Sequence, residues 1–132
     1  MEKTLILIKP DGVKRGLVGE ILQRFERRDV GITNLRLLTP TIEMIKEHYK
    51  EHVGKIFYQE LLDYIMEGPI VAFVIEGNNV IKMARTMIGD KDPIKATPGT
   101  IRGDYGNSIR RNIIHASDGE ASAEREMKIW FN

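Results

Sequence analysis

Two periods of apolar and polar positions alternate along the chain. Thr4-Leu5-Ile6-Leu7-Ile8 is a compact apolar run, the pattern of a central strand buried on both faces. Lys9-Pro10-Asp11-Gly12 breaks it, because proline has no N–H to donate and Asp-Gly favours turns. Val18, Ile21, Leu22 and Phe25 then recur at helical spacing and predict a helix from Val18 to Arg28, ended by Gly31. Ile32 to Leu38 alternate as a second strand. Thr39 or Thr41 caps the next predicted helix, Ile42 to about His52, with Pro40 near its start. Beyond Gly54, the residues Ile56, Phe57, Leu61, Leu62 and Ile65 mark another amphipathic helix, closed by Gly68-Pro69. Ile70 to Ile75 is a third apolar strand, and Asn78 or Asn79 caps a helix from Val80 to Ile88. From Gly89 to about Arg111 no period is sustained, and a loop of that length in a compact domain usually has a function. Asn112-Ile113-Ile114 reads as a short fourth strand that delivers His115 to a sheet edge. A closing helix follows from Ser122 to Phe131, with Ala123, Met127 and Trp130 inward.

The order is β-α-β-(αα)-β-α-β-α. It predicts an α+β fold: a ferredoxin-like βαββαβ unit with a four-stranded antiparallel sheet, helices on one face, an inserted helix pair and a C-terminal helix. The 132 residues are expected to form one domain, 1–132, without repeats or linkers. That scaffold hosts many functions, so function has to come from particular side chains.

Composition removes several classes. There is no cysteine, which excludes disulfides, thiolate metal sites and thiol catalysis. A formal net charge of +1 supplies no broad field for nucleic acid or membrane, so any anion site must be local. No apolar run is long enough to span a bilayer, and the N-terminus lacks a signal-peptide core, which makes the cytoplasm the expected location.

The candidate for chemistry is His115. Two arginines precede it and Asp118 follows, and a mostly neutral imidazole is a good nucleophile at pH 7. The bland alternative is a histidine that ends a strand and bonds backbone. Gly12, Gly16 and Gly19 match neither the P-loop nor the dinucleotide fingerprint, so phosphate binding would fall to side chains. Lys9, Arg85 and Arg102 could supply it, or could be solvated charges. His48-Tyr49-Lys50-Glu51-His52 fits an H-x-x-E-H zinc pattern, but such a site needs a third ligand and a cleft, and a solvated outer helix face is the better reading.

The segments Lys9-Pro10-Asp11-Gly12-Val13, Arg15-Gly16, Gly68-Pro69, Pro98-Gly99-Thr100-Ile101-Arg102-Gly103-Asp104 and Asn112-Ile113-Ile114-His115-Ala116-Ser117-Asp118 occur in one order along the whole chain. In that set the sequence resembles the nucleoside diphosphate kinases. The resemblance implies ping-pong phosphoryl transfer through a phosphohistidine at His115, with nucleoside tri- and diphosphates as partners. It also implies that Glu126 orients the ring with Ser117 supporting it, and that Tyr49 places its hydroxyl near the transferring group. Lys9 and Asn112 are then expected near the ribose, and Arg85 and Arg102 at the phosphates. Phe57 would stack on the base, with Ile109 on its other side. Lys91 stands where the family commonly has a phosphate-touching threonine, and Ala116 replaces the glycine that usually follows the histidine. Mg2+ would arrive on the nucleotide rather than in a protein cage, and a homo-oligomer is expected, a hexamer before a tetramer. The alternative is a non-catalytic nucleotide-binding regulatory relative, which would be expected to have lost some of these residues.

Overall fold

Residues 1–132 are described by a computed structural model, in which the first apolar run becomes β1 (Glu2–Ile8), the strand on which the rest is built. The chain continues through α1 (Pro10–Lys14), α2 (Val18–Arg27), β2 (Gly31–Leu38), α3 (Ile42–His48), α4 (Tyr58–Ile65) and β3 (Ile70–Gly77). It ends with α5 (Val80–Ile88), α6 (Ile101–Tyr105), β4 (Ile114–Ala116) and α7 (Glu120–Trp130). The sheet has four strands in the order β2-β3-β1-β4, and every pair is antiparallel. This is the expected ferredoxin-like arrangement.

Both faces of that sheet are covered, where helices on one face were expected. Ile6 and Ile8 enter a cluster with Phe25, Phe73, Val80 and Ile88, under α2 and α5. Leu5 and Leu7 enter another with Ile45, Tyr49, Leu62 and Trp130, under α3, α4 and α7. Leu5 to Ile8 are apolar at successive positions and leave that part of β1 no face to give to water, so the inserted pair and the closing helix form the second layer.

Local chemistry accounts for the remaining differences. Lys9-Pro10-Asp11-Gly12 does more than break a strand, because proline suits the first helical position and α1 begins there. The second predicted helix, α3, stops at His48, and one 3-10 turn (Lys50–His52) replaces its end. Thr41 is its cap, accepting from the Met44 N–H at 3.2 Å. Ile56 is fully exposed and lies outside the next helix, for which Phe57 is the N-cap. Asn79 takes a left-handed conformation before α5 and does not cap with its side chain. The long aperiodic span contains α6, whose cap is the Thr100 hydroxyl, accepting from the Gly103 N–H at 2.9 Å.

The difference that matters most concerns the fourth strand. Asn112 and Ile113 precede it, and His115 is its central residue rather than the one after it. Its Cα partner on β1 is Leu7, so the His115 side chain shares the face of Leu7, where α3 and α7 pack.

Candidate active site

His115 is held by what lies across that face. Its Nε2 meets Glu126 Oε1 at 2.7 Å, and the Ser117 hydroxyl donates to the same oxygen at 2.7 Å. Glu126 projects inward from α7 and is buried. Burial would push its carboxyl up, but the His115 hydrogen bond, the pull of the neighbouring His115 and His48 rings and the Ser117 hydrogen bond outweigh that and hold it below the usual carboxylate range. An ionised carboxylate only accepts, so the proton of the neutral imidazole sits on Nε2 and Nδ1 carries the free lone pair. Burial also lowers the ring's own pKa, against the opposing pull of Glu126, which keeps it neutral at pH 7.

The ring opens into a cleft of about 1060 Å³, which Arg85, Lys91, Arg102, Asn112 and His115 help to line. Lys82 and Lys95 add further positive charge there, against Asp90 and Asp118. Arg85 comes from α5 and donates to the Ala116 carbonyl at 3.1 Å. Ala116 is buried in the first core cluster.

Arg102, on α6, is buried and serves the scaffold as well as the cleft. It donates to the carbonyls of Asn112 at 3.3 Å, Gly89 at 3.0 Å and Ile114 at 2.6 Å. Those bonds engage three of the guanidinium's five N–H groups and leave two for a ligand. Lys9 lies behind the cleft wall and donates to Asn112 Oδ1 at 2.8 Å. Burial and the charge of Arg102 bring its ammonium down to about 7, against the pull of Asp11.

Tyr49 is buried with a hydroxyl that has no partner. Its ring lies 4.7 Å from that of His48, which lies 4.8 Å from that of His115. Phe57 and Ile109 are not in the cleft lining. The Phe57 ring reaches the lining through His52, 5.8 Å away, and carries the Arg110 guanidinium at 4.9 Å. Ile109 is half exposed, and its carbonyl accepts from Asn112 Nδ2 at 3.1 Å.

Two residues escaped the sequence reading. His48 is buried rather than on a solvated face. Trp130 Nε1 donates to its Nδ1 at 3.1 Å, and burial together with the neighbouring His115 lowers its pKa to about 3. Helical spacing held the signal, since His48 stands three residues after the buried Ile45. One ligand atom each from His48, His115 and Glu126 lies within 4.8 Å of the others, but Trp130 and Glu126 already hold one nitrogen of each ring. His52 is not in that group and pairs with Lys55 at 3.0 Å, so the two histidines of the H-x-x-E-H pattern do not converge.

Asp11 is the other. Its buried carboxylate accepts from the Tyr64 hydroxyl and, at 3.1 Å, from the Ile113 N–H. Ile113 has φ of +76°, a region that costs a β-branched residue on the order of 1–3 kcal/mol. It centres a γ-turn closed by the Ile114 N–H donating to the Asn112 carbonyl at 2.8 Å. No sequence pattern marks such a turn.

A neutral histidine backed by a carboxylate, at a cleft lined with cations on a ferredoxin-like sheet, places the molecule among phosphate-handling α+β enzymes. The comparisons with known proteins narrow this further. The family model described as "Nucleoside diphosphate kinase" matches residues 2–132. A nucleoside diphosphate kinase of Heliobacterium modesticaldum is 53% identical over 131 residues, covering 99% of this chain and 88% of the relative. One of Archaeoglobus fulgidus is 50% identical over 132 residues, covering 100% and 87%. The crystal structure of a nucleoside diphosphate kinase family protein from Babesia bovis superposes with a TM-score of 0.97 at 42% identity, covering 100% of this chain and 89% of that one. The chain belongs to the nucleoside diphosphate kinase family. It is an enzyme of that class, a nucleotide-binding transferase, and the non-catalytic alternative is not favoured. None of its helices is long and apolar enough to cross a membrane.

Proposed function

We propose that residues 1–132 act as a single nucleoside diphosphate kinase domain whose phosphoryl carrier is His115 Nδ1. The Nδ1 lone pair attacks the γ-phosphorus of a nucleoside triphosphate, the N–P bond forms, and the bond to the β,γ-bridging oxygen breaks. The electron pair of that bond leaves on the diphosphate. No proton has to move, because the ring keeps its Nε2–H and the positive charge it gains faces Glu126. A second nucleoside diphosphate then attacks the phosphohistidine with its terminal oxygen and restores the neutral ring. The observation that carries this reading is the 2.7 Å bond from His115 Nε2 to an ionised, buried carboxylate, which frees the other nitrogen for the cleft.

The remaining roles are those the resemblance to the family implies, and the presence of Arg85, Lys91, Arg102 and Asn112 in the cleft lining supports theirs. Arg85 and the two free N–H groups of Arg102 neutralise the transferring group, whose loose transition state asks mainly for positioning and charge. The unpaired Tyr49 hydroxyl serves the same oxygens, with Ser117 steadying Glu126. Lys9 and Asn112 meet the sugar, Phe57 and Ile109 the base, and Lys91 a phosphate. A divalent cation accords with the family, and we take it to be Mg2+. With only Asp90 and Asp118 as carboxylates in the lining, the protein offers it few hard oxygen ligands, and most would have to come from the nucleotide. The ion adds charge neutralisation at the phosphates.

We place the enzyme in the cytoplasm as a homo-oligomer, a hexamer before a tetramer. The open edge of the sheet supports association. β2 ends the strand order, and on it Leu35 and Leu37 are 54% and 67% exposed. A second copy of β2 would satisfy both its hydrogen bonds and its leucines. The central test is incubation with γ-labelled ATP. Acid-labile, base-stable label on His115 is expected, and label that persists in His115→Ala would move the nucleophile elsewhere.

A further inference from the structure

The turn before His115 is held at most of its polar groups. The Ile113 carbonyl accepts from the Lys9 N–H at 2.7 Å. The Asn112 and Ile114 carbonyls accept from Arg102, and the Asn112 side chain is held by Lys9. The Ile113 N–H has a single partner, the Asp11 carboxylate. The Ile113 side chain is fully buried in the core.

Such over-determination is what a β-branched residue at φ of +76° requires. It is also what His115 requires. In a strand, successive side chains point to opposite faces, so a one-residue slip would carry His115 from the Glu126 side to the other. Ile114 and Ala116 already occupy that other face. The strained turn sets the register.

We propose that Asp11 is a positioning residue for the transfer, acting through the Ile113 turn to hold the His115 ring against Glu126. The proposal rests on His115 being the phosphoryl carrier. A carboxylate suits this place because both oxygens accept, one from the Tyr64 hydroxyl and one from the Ile113 N–H. An asparagine would turn an NH2 group toward one of those donors. Gly12 completes the device by letting α1 approach. A Cβ there would lie 2.9 Å from Ile8 Cγ2, 3.0 Å from Ile113 Cγ2 and 3.1 Å from the Ile113 carbonyl oxygen.

The test is single-turnover labelling of Asp11→Asn by γ-labelled ATP, with the labelled residue mapped and diphosphate affinity measured alongside. The expected result is label still on His115, a rate at saturating nucleotide reduced about 10-fold or more, and affinity within about threefold of the parent protein. A merely structural role would lower thermal stability and leave the rate per folded molecule unchanged. A saturating rate within about twofold of the parent would therefore overturn the proposal, as would a loss confined to affinity. Label on another residue in the parent protein would instead overturn the assignment of His115. Should Asp11→Asn not fold, Gly12→Ala keeps the carboxylate and gains helix propensity. It presses on the same turn, and the same split between rate and affinity decides.

Discussion

Replacing Glu126 with glutamine keeps the shape of the side chain and removes its charge, which makes it a sharp probe of what the carboxylate does. In the resting enzyme the amide oxygen can still accept from His115 Nε2 and from Ser117, so both bonds survive but lose the carboxylate's charge. The loss grows when the ring carries the phosphoryl group and becomes positive. A charge-assisted hydrogen bond contributes ~1.5–3 kcal/mol and a neutral one ~0.5–1.5. That difference is lost at the resting bond already, and the attraction between a cationic ring and a carboxylate is worth at least as much again, so an additional ~1–2 kcal/mol falls on the transition state and the phosphoenzyme. At ~1.36 kcal/mol per tenfold in rate, the fall in kcat/KM should be roughly 5- to 30-fold. The pH dependence carries a second sign. Burial lowers the His115 pKa while Glu126 raises it, so removing the charge lowers it further. His115 must be neutral to attack, so the acid limb of the kcat/KM profile should move to lower pH. Quench-flow labelling across the acid range measures both. A rate loss under about twofold, or an acid limb displaced upward, would refute the account of the His115–Glu126 pair.

Three further predictions use the same structure. Arg102→Ala removes three backbone clamps along with the cleft's buried cation; urea unfolding should show a loss of ~2–4 kcal/mol, and an unchanged midpoint would contradict the clamps. Tyr49→Phe deletes a hydroxyl that has no partner in the fold. Its stability should therefore be equal to or slightly above that of the parent, with transfer roughly 3- to 30-fold slower, and an equally fast variant would remove Tyr49 from the site. His48 titrates at about 3 in the fold against ~6.5 unfolded, so between those values the unfolded chain binds more protons. Stability should then fall as pH drops through that window, by up to ~1.4 kcal/mol per pH unit. His48→Gln, which can still accept from Trp130, should flatten that slope in urea titrations, and parallel slopes would show that His48 is not the group responsible.

Much of the fold was legible because its strands are extreme. The apolar runs beginning at Thr4 and Ile70 left little choice of element, and the helical spacing of Val18, Ile21 and Phe25 placed α2 within a residue. The same runs held the information that both faces are covered, since neither strand offers a polar side. What stayed out of sight were the short elements. α1 and α6 are each five residues long, below the length at which a period can be counted, and each is defined by a proline or a threonine at its start. The register of β4 was hidden for another reason. Apolar content at Asn112-Ile113-Ile114 suggests a strand, and only the fold reveals that Asp11, 102 residues away in sequence, holds Ile113 in a turn.

The site divides along the same line. Residues that stand in the cleft as charged or titratable groups, His115, Arg85 and Arg102, could be picked out by residue type and place. Residues whose role depends on burial could not be, because burial is a property of the layers. His48 shows how this works. In sequence it belongs to a charged stretch with Lys46, Glu47, Lys50 and Glu51, yet its helical phase puts it with Ile45 beneath α7, where Trp130 fixes its tautomer. The second layer thus encloses His115 with one ionised carboxylate and one neutral ring. Burial works against the charge on both, and the outcomes differ. It removes the charge from His48 and His115, while the hydrogen bonds to Glu126 keep the charge on the carboxylate. A face that left Glu126 open to water would weaken its hold on Nε2–H and surrender the tautomer that exposes Nδ1. The reactivity proposed for the histidine therefore depends on the sheet being covered on the side where the inserted helices and α7 lie.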